Sequence, residues 1–194
     1  MLLPIGTSLT CWIKKIKLSF ELKLFAIYIW VTFILQAFAL VLSYGFGLQN
    51  LFLFRLHYPF HIAIFTYLLL KWLHVKNKNI ILLVGLSILI SVLGDFLFGE
   101  RNAPLTFMLW FDVIVLFSMS FLLSFVNDKK KIHLPKEYNF IHIGIYLYST
   151  ITLIGLFPSS VGLETYGFFL QSIAVIISNY FFARSFLCLF PSRG

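Results

Sequence analysis

Lys76-Asn77-Lys78, followed by Asn79-Ile80-Ile81-Leu82-Leu83-Val84-Gly85-Leu86-Ser87-Ile88-Leu89-Ile90-Ser91-Val92-Leu93-Gly94-Asp95-Phe96-Leu97-Phe98-Gly99, decides the fold of this chain. A basic tripeptide opens an unbroken apolar run that holds no basic residue and reaches a carboxylate only at Asp95. Such a run is long enough to cross the hydrocarbon core of a bilayer as a helix. Alternation of two faces, which a membrane barrel needs, is missing.

Working outward from it, the same pattern recurs. Apolar runs at residues 24–44, 52–73, 79–99, 104–126, 138–157 and 163–188 predict an all-α, polytopic membrane protein of six transmembrane helices. The last run is long enough to tilt or to end in an interfacial turn. Of 194 residues, 60% are hydrophobic and 11% charged, and the mean hydropathy is +0.95. Between the runs lie short connections. The longest, 127–137, has 11 residues and cannot hold a catalytic domain of its own. One six-span domain over 1–194 is therefore expected.

The net charge of +8 is distributed by topology. Lys14, Lys15, Lys17 and Lys23 precede span one; Lys71, Lys76 and Lys78 separate spans two and three; Lys129–Lys131 and Lys136 separate four and five. With Arg184 and Arg193, 13 of 15 basic residues fall on one side, leaving Arg55 and Arg101 near the other. That bias places both termini in the cytoplasm and the chain in a bacterial cytoplasmic (inner) membrane. A nucleic-acid partner is not expected, because no concentrated basic face with interleaved aromatic and polar groups is present. The bilayer is the expected partner, with a second membrane protein or a further copy of the chain beside it. Cys11 and Cys188 fall on the reducing side, where pairing is disfavoured. No basic residue stands ahead of an apolar core at the N-terminus, so no cleaved leader is expected. Residues 9–20 set Trp12, Ile13, Ile16 and Phe20 against Lys14, Lys15 and Lys17, the pattern of an interfacial helix on the inner leaflet.

An internal repeat is suggested by two segments. His61-Ile62-Ala63-Ile64-Phe65-Thr66-Tyr67 matches His142-Ile143-Gly144-Ile145-Tyr146-Leu147-Tyr148 in pattern, 81 residues on. A three-helix unit repeated once would be inverted in the membrane, as in many transporters.

Polar groups inside the spans carry any functional reading, since each ionisable residue costs about 2.5–3.5 kcal/mol at a helix centre. Asp112 is the deepest, and Asp95 lies toward the outer end of span three. Arg55, His57 and His61 occupy the outer part of span two, and Glu164 opens span six ahead of Gln171. These seven are the candidate binding residues, and Asp95 and Asp112 the candidate catalytic ones. Arg55 is expected to neutralise Asp112 or Asp95, or to snorkel to the headgroups. His57 and His61 stand one turn apart and, with a carboxylate, have the donor types of a zinc site. Pro59 between them and the absence of an HExxH motif favour hydrogen-bonded histidines instead, so neither metal nor cofactor is expected. Further polar stripes are Thr32, Gln36 and Ser43 in span one; Ser87, Ser91 and Gly94 in span three; His142, Tyr146 and Ser149 in span five; and Ser178 and Asn179 in span six. Each should turn away from lipid. No nucleophile elbow, phosphate-cradling glycine loop or CxxC pair occurs.

Two resemblances extend this reading. Phe140-Ile141-His142-Ile143-Gly144-Ile145-Tyr146, with Asn179 and Phe186-Leu187-Cys188 in the final helix, resembles a group of small uncharacterised bacterial polytopic membrane proteins. That likeness implies architecture only. Ser91-Val92-Leu93-Gly94-Asp95-Phe96-Leu97 resembles the Ser-x-Leu-Gly-Asp-x-Leu segment of lysoplasmalogenase-type membrane hydrolases. It implies Asp95 as an active-site carboxylate, aided by Asp112 activating water. The following span lacks that family's histidine and tyrosine, and the span count is six where eight are expected. Tiny loops and missing nucleophile motifs favour a non-enzymatic sensor or subunit acting through helix contacts. A small transporter and a membrane-embedded lipid hydrolase are the alternatives.

Overall fold

A computed structural model describes residues 1–47, 51–98, 106–130, 134–160 and 164–190. The described residues form seven α-helices: α1 (Leu2–Ile13), α2 (Phe20–Leu40), α3 (Leu51–Trp72), α4 (Asn77–Phe98), α5 (Thr106–Lys130), α6 (Lys136–Ser160) and α7 (Glu164–Leu187). Arg101, Lys131 and Arg193 lie outside the described residues. Among the described residues, five helices are long and apolar enough to cross a membrane, namely α2 with its continuation to Gly45, α4, α5, α6 and α7. The remaining long helix, α3, has 22 residues and carries Arg55, His57, Pro59 and His61 in its first half.

Helix boundaries follow from local chemistry. Ser19 caps α2, its hydroxyl accepting from the Leu22 N–H at 3.3 Å. Both α1 and α3 end in paired reverse bonds of the kind that close a helix with one left-handed residue. In α1 the Ile16 N–H reaches the Cys11 carbonyl and Lys15 takes φ 52°; in α3 the Val75 N–H reaches the Leu70 carbonyl and His74 takes φ 57°. Beyond Leu40, α2 loosens into a π turn over Val41–Gly45. Pro59 lies inside α3 rather than at its start, and its missing N–H withdraws the helical partner of the Arg55 carbonyl.

Two compact units divide the chain. Residues 19–112 form one, made of α2, α3, α4 and the first turns of α5. Residues 1–18 with 113–194 form the other, made of α1, the rest of α5, α6 and α7. In the second unit, α1 buries Pro4, Ile5, Ser8 and Cys11 on one face. The Cys11 thiol points at the Phe186 carbonyl of α7, 3.8 Å away. Trp12 and Ile13, at the end of α1, stand exposed. Of the amphipathic segment 9–20, only the part up to Ile13 belongs to α1, because Lys15 ends that helix and Phe20 already opens α2. α6 and α7 pack at backbone distance: a Cβ at Gly155 would stand 3.2 Å from the Gly167 carbonyl.

The polar stripes turn inward in most places. Thr32, Ser87, Ser91, His142, Ser149, Ser178 and Asn179 are all buried. Gln36 departs from the expectation and is exposed. Beyond Thr32, Ala39 is the one further buried position of α2, and none is buried in the π turn that follows.

Candidate functional site

The candidate site lies in the unit of residues 19–112. Its deepest group is Asp112 at the end of the first turns of α5, with no exposed surface. His61 of α3 meets it, Nδ1 lying 2.7 Å from Asp112 Oδ2, with side chains 6% and 0% exposed. Neither Asp112 oxygen accepts a hydrogen bond among the described residues, so the His61 contact is short but not aligned as one. A carboxylate so buried is costly to keep ionised, and the imidazole beside it is the group placed to offset that charge.

Helical spacing builds the surroundings. His57, one turn before His61, stacks on it with centroids 5.7 Å apart and planes 23° apart. From α2, Tyr28 packs against His61 at 5.6 Å and Phe65 at 4.7 Å. Phe65, one turn after His61, meets its ring edge-on at 4.6 Å. Tyr28 and Tyr58 both lie within the electrostatic reach of Asp112. The His57 Nε2 atom is buried and has no hydrogen-bond partner among the described residues.

A second pair stands nearer the α3 N-terminus. Arg55 Nε lies 3.9 Å from Asp95 Oδ2, the guanidinium side chain 60% exposed and the carboxylate 6%. Arg55 thus reaches the surface while its inner edge neutralises Asp95. Of the two carboxylates the sequence offered to Arg55, Asp95 is the one it meets. Ser91, one turn before Asp95, is fully buried, and its hydroxyl has no partner among the described residues. Gly94 is a packing residue: a Cβ there would fall on the Phe107 ring of α5.

Five of the seven candidate residues, Arg55, His57, His61, Asp95 and Asp112, therefore fall in one unit and form two pairs with His57 stacked beside one of them. Gln171 belongs to the other unit and is half-buried on α7. Glu164 opens α7, and its side chain lies outside the described residues. Among the described residues, no three His, Cys, Asp or Glu side chains are arranged to hold a metal ion. The sequence reading passed over Tyr28, although it stands one turn before Thr32 on the polar stripe of α2. In the other unit, His142, which stands in the segment of similar pattern to that around His61, donates from Nε2 to the Ser120 carbonyl at 3.0 Å, a structural bond to backbone.

No known family, curated protein or solved structure shows significant similarity to this chain.

Proposed function

We propose that this chain is a six-span protein of a bacterial cytoplasmic membrane, with α3 as the sixth span and both termini cytoplasmic, and that it is a small proton-coupled transporter. The observation that carries this reading is the His61–Asp112 pair, 2.7 Å apart and cut off from solvent. Ionisable groups in the hydrocarbon region are costly, and chains that keep them use them for ion pathways, proton relays or ligand counter-charges. Asp112 as carboxylate with neutral His61 carries one net negative charge; one added proton makes the pair neutral. Two states of different charge in one buried place are what coupling requires. The order of the helices adds support, since α2, α3 and α4 are followed by α5, α6 and α7 in similar lengths, as a three-plus-three repeat would give.

The test reads the proton first and the cargo second. Purified protein should change its thermal stability between acidic and alkaline buffer by an amount that Asp112→Asn removes. Reconstituted vesicles under an imposed pH gradient should take up a labelled solute from a panel of amino acids, sugars and organic cations, and Asp112→Asn should abolish it. Identical pH profiles for wild type and Asp112→Asn would overturn the proposal. A sensor working through helix contacts would keep the proton-linked stability and show no flux. A lysoplasmalogenase-type hydrolase would show lipid turnover lost in Asp95→Asn.

A further inference from the structure

We infer that Cys11 and Cys188 form an oxidisable dithiol, which hydrogen peroxide closes into a disulfide tying α1 to the end of α7. Both residues belong to the unit of residues 1–18 and 113–194, and two contacts bracket Cys188 within it. At one end, the Cys11 thiol donates to the Phe186 carbonyl at 3.8 Å. At the other, Lys14 places its Nζ 4.9 Å from the centroid of the Phe190 ring. Cys188 falls midway along the stretch so held, and it lies within electrostatic reach of Cys11. The regular helix is ending there. The Cys188 N–H still donates to the Arg184 carbonyl at 3.1 Å, but the next two bonds span only three residues, Leu189 to Phe186 and Phe190 to Leu187. A bridge needs its two Cα atoms within about 7 Å of each other. A fraying helix end is where the chain adjusts to that requirement most cheaply.

Neither thiol is firmly engaged elsewhere. Cys188 donates to the Ser185 carbonyl of its own helix at 3.1 Å, and a thiol is a weak donor. Cys188 is exposed, whereas Cys11 is fully buried. That asymmetry orders the chemistry, since dissolved peroxide meets Cys188 first. The Cys188 thiolate attacks one peroxide oxygen: an S–O bond forms, the O–O bond breaks, and the departing hydroxide recovers the proton that the thiol released. Cys188 is then a sulfenic acid. The Cys11 sulfur attacks it: the S–S bond forms, the S–O bond breaks, and hydroxide leaves with the Cys11 proton as water. Two thiols have given two electrons and two protons to one peroxide, which becomes two waters. Each thiol is pushed up from its ordinary range, by burial first and, for Cys11, by the Cys188 thiol next. Two thiolates side by side are therefore disfavoured, but the reaction needs only one at a time. On the cytoplasmic side proposed for these residues, the pair rests reduced and closes under sustained oxidant.

The full chain, reduced and purified in detergent, is treated with hydrogen peroxide, and its free thiols are counted with a maleimide mass tag. Both thiols should disappear together from the monomer and return together with dithiothreitol. Peptide mass spectrometry should find Cys11 joined to Cys188. Cys11→Ser, a nearly isosteric change, should stop at the sulfenic acid, which dimedone traps on Cys188 several-fold more than in the wild type. Cys188→Ser should leave Cys11 reduced at the same dose, which two independently oxidised thiols would not. A wild-type monomer that keeps both thiols, or loses only that of Cys188, would overturn the dithiol, and so would cross-links confined to Cys188 of two chains. Equal dimedone trapping in wild type and Cys11→Ser would remove Cys11 as the second partner. The wild-type measurements decide the matter without either variant.

Discussion

At the residue scale, the buried pair and the two thiols make opposite demands on the proton. Breaking a buried pair by deleting one member strands the other, at a cost of about 3–5 kcal/mol, whereas replacing both by apolar groups is often neutral. Asp112→Ala is therefore expected to lower stability by ~3 kcal/mol, and His61→Leu with Asp112→Leu should recover most of the loss. Thermal unfolding followed by tryptophan fluorescence reads both, and a double variant no better than the single one would count against a coupled pair. Cys11 and Cys188 lie outside the spans, and both thiols are pushed up from the usual range. Burial is the main cause for each, followed by the neighbouring Cys188 thiol for Cys11 and by Glu137 for Cys188. The thiolate is the reactive form, so alkylation should run on an alkaline-shifted profile, with exposed Cys188 modified before buried Cys11. Because the folded thiols keep their protons longer than the unfolded ones, their contribution to stability is complete below the unfolded pKa. It is lost as pH rises through the folded value. A melting temperature that falls in alkaline buffer, and falls less in Cys11→Ala, is the expected result.

Among the elements, hydropathy located the helices better than it located their ends. The run at 104–126 became α5, which continues to Lys130, and the run at 138–157 became α6, which starts at Lys136 and ends at Ser160. The reason is physical: an apolar run measures what oil tolerates, while backbone hydrogen bonding continues wherever headgroups or water can solvate Lys and Glu side chains. Close helix contacts were less legible, because a glycine in an apolar run looks the same whether it faces lipid or a neighbour. Gly144 and Gly85 separate the two cases. A Cβ at Gly144 would stand 2.6 Å from the Phe182 ring and 3.3 Å from Phe181 Cβ, whereas nothing lies within 4 Å of one at Gly85. Gly144→Ala should thus cost about 1–3 kcal/mol through overpacking. Gly85→Ala should be neutral or gain up to about 1 kcal/mol from helix propensity. Melting temperatures of the two variants, measured side by side, check the contrast; equal effects would refute the α6–α7 contact as drawn.

For the whole molecule, the sequence disclosed which groups were expensive in lipid but not how they pair. Arg55 had two carboxylates to choose from, and only the packing of α3 against α4 brings it to Asp95, leaving Asp112 to His61. Tyr28 was hidden among nine tyrosines and 24 phenylalanines that a lipid solvent makes unremarkable. What the sequence does carry at this scale is the placement of charge. Lysine and arginine resist translocation, and short loops rich in them stay cytoplasmic. If the six-span arrangement holds, a cysteine placed at Asp128, in a chain stripped of Cys11 and Cys188, should react with a membrane-impermeant maleimide only after the cytoplasmic face is opened. One placed at Gly47, beyond α2, should react from the outside in intact cells. The α3 assignment is what the pair of sites examines: were α3 to lie along the surface instead of crossing, both residues would sit on the same side. Asp128 and Gly47 would then label together.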